Sequence, residues 1–167
     1  MADNDTANTD VYKNLCKCNR AIGEVENIYH QAAKAYGLSE GCFWILYCLR
    51  ANSGDLTQSD ISSTLFQPKQ TIHSALKILE DGGYLELIPA NIRRSKYIRL
   101  TMKGVELARR TVDHVIAAEI TALSCMAASD REILMQLSRQ YTALLKNHMQ
   151  NILKQQEEQN EHYNHQP

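Results

Sequence analysis

Between Thr57 and Gly104 the chain reads as a short capped helix, a turn, a second helix and two strands joined by a basic loop. Few folds accept that order. Thr57-x-x-Asp60 has the form of a capping box that opens the first of these helices. The second opens at Gln67-Pro68, with Pro68 in the first turn, where its missing N–H is not needed. It closes at Gly82-Gly83, which supply the positive φ that helix C-termini favour. Inside it Ile72, Ala75, Leu76 and Leu79 fall at i, i+3, i+4 and i+7, the spacing of one buried stripe. Gln70, His73, Ser74 and Lys77 repeat that spacing on the opposite face. A helix apolar on one side and hydrogen-bonding or cationic on the other suits a DNA major groove.

The strands follow at once. Tyr84-Leu85-Glu86-Leu87-Ile88 and Lys96-Tyr97-Ile98-Arg99-Leu100 have β-branched, aromatic and aliphatic character. Pro89 to Ser95 joins them, with Arg93 and Arg94 near the tip. Arginine suits phosphates and the negative potential of a narrow minor groove. The whole chain carries 18 Lys+Arg against 19 Asp+Glu, but its charge is unevenly spread. From Phe66 to Gly104, Lys69, Lys77, Arg93, Arg94, Lys96, Arg99 and Lys103 face only Glu80, Asp81 and Glu86, which leaves this segment four charges positive. A basic segment in a near-neutral chain is the footprint expected of a DNA-binding face.

With 167 residues, 7 Gly and 3 Pro, the chain has the size of one domain and a composition that favours long helices. The first ten residues are polar and acidic and hold no apolar segment of the kind found in secretory signals. The longest apolar run, Cys42 to Leu49, is too short for a membrane span. A cytoplasmic protein without a membrane partner is expected. Cys16, Cys18, Cys42, Cys48 and Cys125 are odd in number, and no cysteine or histidine pair follows at zinc-ligand spacing. No disulfide framework, metal or cofactor is therefore expected, and most of the cysteines are read as small buried hydrophobes. No phosphate-binding Gly-rich loop, His-Glu-x-x-His or nucleophile elbow is present, so an enzyme is not expected.

Outside the central stretch, residues 1–10 and 154–167 are read as disordered, the latter for its Gln/Glu-rich composition. Residues 11–37 form an amphipathic helix, with Leu15, Ile22, Val25, Ile28 and Ala32 on one stripe. Ser39 caps the next helix, which carries Phe43-Trp44-Ile45-Leu46-Tyr47. After the strands, Thr101 caps a long helix through Val105, Val112, Ile116, Ile120 and Leu123. Ser129-x-x-Glu132 then opens a final helix whose stripe is Ile133, Leu137, Tyr141, Leu144, His148 and Ile152. Stripes of this length exceed what residues 38–104 can cover, so residues 11–37 and 105–153 are read as dimerisation helices. A two-fold dimer would present two recognition helices to successive major grooves and read a pseudo-palindrome.

Leu56-Thr57-Gln58-Ser59-Asp60-Ile61, the helix end Leu79-Glu80-Asp81-Gly82-Gly83-Tyr84 and above all Arg93-Arg94-Ser95-Lys96-Tyr97-Ile98-Arg99-Leu100-Thr101-Met102-Lys103-Gly104 resemble the MarR family of bacterial regulators. The resemblance spans about residues 11–153. It implies a mainly α fold with a small β-hairpin wing, a winged helix-turn-helix with long N- and C-terminal dimerisation helices. It further implies a homodimeric transcription factor, usually a repressor, that a small aromatic ligand or a thiol oxidation releases from double-stranded DNA. By the same analogy Pro68, Lys69, Gln70, Thr71, His73, Ser74 and Lys77 would face DNA from the helix, and Arg93, Arg94 and Lys96 from the wing. An effector would lie near Tyr29, His30, Trp44, Tyr47 and Cys48. A thiol sensor of the same fold, using Cys16 or Cys18, is one alternative, and a winged module for protein–protein contact is another. Two positions depart from the family pattern. Ile92 stands where an Asp commonly precedes the wing arginines, and Ser74 where Arg is frequent.

Overall fold

A computed structural model describes residues 2–52, 54–89 and 96–164, with side chains over 9–52, 54–89 and 96–160. The elements are α1 (Ala2–Ala35), α2 (Glu40–Ala51), β1 (Leu56–Thr57), α3 (Gln58–Leu65), α4 (Lys69–Asp81), β2 (Leu85–Pro89), β3 (Lys96–Leu100), α5 (Met102–Arg109), α6 (Val112–Ser124) and α7 (Ala128–Asn164). They fall into two compact units, Met1–Ala118 and Glu119–Pro167, with α6 running across the division. Among the described residues no single helix is long and apolar enough to cross a membrane.

The first unit has one apolar centre. Phe43, Ile45 and Leu46 of α2 meet Ile61 of α3, Ile72, Leu76 and Leu79 of α4, Leu85 and Ile98 of the sheet, and Val112 at the start of α6. The expected stripe of α4 is thus the buried one. Gly41 lets α2 cross α4 closely, since a Cβ there would come within 2.9 Å of the Ala75 Cβ. The sheet is antiparallel in the order β1-β3-β2, with Leu87 opposite Ile98 and Leu85 opposite Leu100.

Local chemistry sets the helix ends. The Ser39 hydroxyl accepts from the Cys42 N–H at the start of α2. Thr57 and Asp60 form the full capping box of α3. These bonds hold the Asp60 carboxyl below the usual carboxylate range, led by the Thr57 hydroxyl. Pro68 stands at the N-cap of α4 rather than inside its first turn, and Gly83, at φ +69, supplies the left-handed residue that ends it.

The Leu100-to-Gly104 segment has a direct physical reading. The Thr101 N–H donates to the Tyr84 carbonyl at 3.1 Å, the Thr101 hydroxyl to the Gly83 carbonyl at 2.7 Å, and Lys103 Nζ to the Gly82 carbonyl at 2.7 Å. Lys103 also lies 4.5 Å from the centre of the Tyr84 ring. A Cβ on Gly104 would stand 1.8 Å from the Tyr84 carbonyl oxygen, so only glycine fits. The start of α5 thereby fastens the end of α4 to the sheet.

Five expectations change. Residues 2–10, read as disordered, continue α1, and residues 154–164 continue α7. Their polar side chains are compatible with a helix once it has been nucleated further along. The long helix after Thr101 breaks at Arg110-Thr111, where the N–H groups bond three residues back and the Thr111 hydroxyl donates to the Leu107 carbonyl at 2.7 Å. α6 is then held to α2 by a two-bond pair between Arg50 and Asp113, at 2.7 and 2.8 Å. α7 begins at Ala128, so Ser129 lies inside its first turn rather than before it. The sheet gains Leu56–Thr57 as a third strand.

The exposed apolar residues are concentrated on α1 and α7. On α1, Val11, Leu15, Cys18, Ile22, Val25, Tyr29 and Ala32 alternate at steps of four and three, the spacing of a coiled-coil seam. Its C-terminal end, Tyr29 and Ala32, packs on the core, while Val11, Leu15, Ile22 and Val25 stand exposed. In the second unit, α7 exposes Ile133, Leu134, Leu137, Tyr141, Leu144, Leu145 and Ile152.

Candidate nucleic-acid interface

α4 and the sheet enclose a cleft of about 620 Å³. Lys69, His73 and Lys77 line it from successive turns of α4, and Lys96 faces them from β3. Leu76, Leu87 and Ile98 form its apolar floor, and Thr57, Gln58 and Ser59 close the end where the N-terminal turn of α3 presents N–H groups that a helix leaves unbonded. Glu80 and Asp81 line the far end, so the cleft is cationic toward the N-terminus of α4 and acidic toward its C-terminus. Gln58 Nε2 donates to the Lys69 carbonyl at 2.8 Å and fixes the two helix starts together.

The cations of this segment divide by role. Arg99 is bound through two hydrogen bonds, of 2.8 and 3.0 Å, to Asp55, the residue before β1. The guanidinium holds the Asp55 carboxyl below its ordinary value, mainly by hydrogen bonding. Lys103 is engaged at the end of α4. Among the described residues Lys69, Lys77 and Lys96 have no ion-pair partner. Arg93 and Arg94 lie outside the described residues.

The remaining named positions on α4 are exposed: Pro68 and Gln70 at its start, then Thr71 and Ser74 on the flank away from the sheet. The Ser74 hydroxyl donates to the Gln70 carbonyl of its own helix at 3.0 Å. Gln58 and Ser59 also line the cleft, and Phe66 stands exposed at the end of α3; sequence reading names none of the three as a site residue. The capping box was the signal for Gln58 and Ser59, because it fixes where α3 begins.

The residues expected around an effector are gathered only in part. Tyr29 and Trp44 have ring centres 4.9 Å apart, and Trp44 and Tyr47 5.4 Å, so these three form one half-buried aromatic group. His30 stands on the exposed side of α1, with Nδ1 at 2.5 Å from a Glu40 carboxylate oxygen. Cys48 is buried, and burial pushes its thiol up. The expectation that most cysteines are buried fails: Cys42 and Cys48 are, whereas Cys16, Cys18 and Cys125 are exposed. The reason is that Cys16 and Cys18 lie on the part of α1 that extends beyond the core, and Cys125 at the turn before α7.

A winged helix-turn-helix with Thr101-Met102-Lys103-Gly104 fastened across the end of α4 defines a known class. Residues 36–91 match the family model described as MarR family. Similar solved structures extend the likeness of fold. A MarR family regulator from Neisseria meningitidis is 21% identical with a TM-score of 0.68, covering 82% of this chain and 97% of that one. S. aureus MepR in complex with DNA is 20% identical with a TM-score of 0.62, covering 75% and 92%. The PcaV transcriptional regulator from Streptomyces coelicolor, in complex with its natural ligand, is 17% identical with a TM-score of 0.56, covering 75% and 91%. No curated protein matches the chain in sequence.

Proposed function

We propose that the chain is a sequence-specific DNA-binding transcriptional regulator, a repressor that acts as a homodimer on a pseudo-palindromic operator. The observation that carries this reading is the row Lys69, His73 and Lys77 on α4, faced by Lys96 across the cleft, with none of the three lysines paired among the described residues. Cations left unpaired on an otherwise well-partnered lobe are suited to phosphates. Arg93 and Arg94, between β2 and β3 in the sequence, add two further positive charges.

The second copy is argued from α1. Its seam is one continuous stripe, covered at Tyr29 and Ala32 and bare from Val11 to Val25. Bare apolar stripes of this length are a mark of association. Release from DNA is assigned to a small aromatic ligand held beside Tyr29, Trp44 and Tyr47, whose rings pack on one another.

The test is a fluorescence-anisotropy titration with the duplex upstream of the chain's own coding region, beside a random duplex of equal length, at two salt concentrations. Tight binding that favours the upstream duplex and weakens steeply with salt is expected, because phosphate contacts release counterions. Weak binding, equal for both duplexes and indifferent to salt, would reject the regulator and favour a protein partner for the same face.

A further inference from the structure

The exposed surface of α4 has two flanks of different chemistry. Lys69, His73 and Lys77 face the cleft. On the other side Thr71, Ser74 and Ile78, at i, i+3 and i+7, form a flank without charge. Ile78 is 60% exposed although Leu79 beside it is buried. The inward hydrogen bond of Ser74 occupies the one hydroxyl proton at the middle of this flank.

Just before the N-terminus of α4 stands Phe66. It is 94% exposed and adopts φ +51, in the left-handed region that bulky residues rarely enter. The Phe66 and Gln67 N–H groups both donate to the Ser62 carbonyl, and the Ser62 hydroxyl donates to the Gln67 carbonyl at 2.6 Å. The turn is therefore fixed to α3. Its neighbour shows the opposite arrangement: Gln67 Oε1 is buried without a hydrogen-bond partner among the described residues. A ring turned outward and an amide oxygen turned inward both run against solvation, and such local strain is characteristic of a surface used for contact.

We propose that this uncharged flank, together with Phe66 ahead of the helix, reads the C5-methyl groups of thymines in the major groove. The thymine methyl is the apolar feature of a major-groove edge, and Phe and the Thr methyl are side chains that contact it. Ser74, at the middle of this flank, brings no guanidinium that would favour guanine on this side. The inference rests on the DNA-binding reading and adds a base chemistry to it.

The experiment starts from a duplex that the full-length protein selects out of a random pool. Each thymine is replaced in turn by deoxyuridine, which removes only the methyl, and binding is followed by anisotropy. At one or more positions in each half-site affinity falls about fourfold per methyl. Thr71→Ser, Ile78→Ala and Phe66→Asn each bring the affinities for the thymine and uracil duplexes closer together. Phe66→Gly raises Tm by releasing the strained φ while reducing thymine discrimination, a pairing that a purely structural residue would not give. If every uracil duplex binds like its thymine parent while the selected sequence still outcompetes random DNA, the inference is overturned and the DNA-binding reading stands. If the protein selects no sequence, both fall.

Discussion

The lobe built on α2, α3, α4 and the sheet and the exposed reach of α1 are both rich in apolar residues, yet only the first consumes them internally. In the lobe Phe43, Ile45, Leu46, Ile61 and Ile72 are wholly enclosed. On α1, Leu15, Ile22 and Val25 keep a regular seam and remain open. Hydrophobic periodicity alone does not distinguish a core that a chain completes from a surface awaiting another chain. The difference lies in supply: two helices and a sheet converge on α4, whereas the seam of α1 runs on past the last residue that meets it. A stripe that is buried at one end and bare at the other is where the proposed second copy would dock.

The largest effect should come from the enclosed side of this comparison. Phe43→Ala should lower the unfolding free energy by about 3–5 kcal/mol, because it removes buried area and leaves a cavity. Urea denaturation should show that loss at every protein concentration. On the open side, Ile22→Asp/Val25→Asp should leave far-UV circular dichroism intact but weaken self-association by about a hundredfold or more. The readout is a Tm that no longer rises with protein concentration. Equal dependence on concentration in both variants would break the distinction.

Gly104→Ala tests the joint that aligns α4 with the sheet, and should destabilise the lobe by about 1–3 kcal/mol as α5 is pushed off Tyr84. DNA affinity should fall with it even at temperatures where the variant remains folded. The smallest effect concerns the Arg50–Asp113 pair. The hydrogen bond from Arg50 holds the Asp113 carboxyl below its ordinary value. A carboxyl depressed in the folded state stabilises above its unfolded value, about 3.9, and this contribution disappears as pH falls through the lower folded value. Asp113→Asn should thus reduce stability by about 1 kcal/mol near neutral pH and flatten part of the loss that the unmodified chain shows below about pH 4. A variant whose urea midpoint follows the parent throughout acid titration would remove that pair from the account of acid lability.

Much of the lobe was legible because its signals are local. The Thr57 box, the Ile72-to-Leu79 stripe, Gly82-Gly83 and the two strands each occupy consecutive residues with a recognisable period. Leu56–Thr57 was not legible as a strand, since two residues have no period and the pairing is decided by Tyr97 and Ile98 across the sheet. The break at Arg110-Thr111 contains neither Gly nor Pro and arises from the Thr111 hydroxyl and the tie of Asp113 to Arg50. At the candidate interface the sequence supplied the cations but not their partners. Only the fold shows Arg99 bound to Asp55 and Lys103 held at the end of α4, while Lys69, Lys77 and Lys96 line the cleft without an ion-pair partner among the described residues. Phe66 carried no sequence signal, because exposure and a positive φ are properties of the turn rather than of the residue.

The most direct test of the central claim is native mass spectrometry of the full-length chain, alone and with a duplex selected from a random pool. The homodimer reading predicts a species of twice the 19.0 kDa chain mass in both samples, with two chains on each duplex. A monomer at micromolar concentration, bound as one chain per duplex, would contradict it.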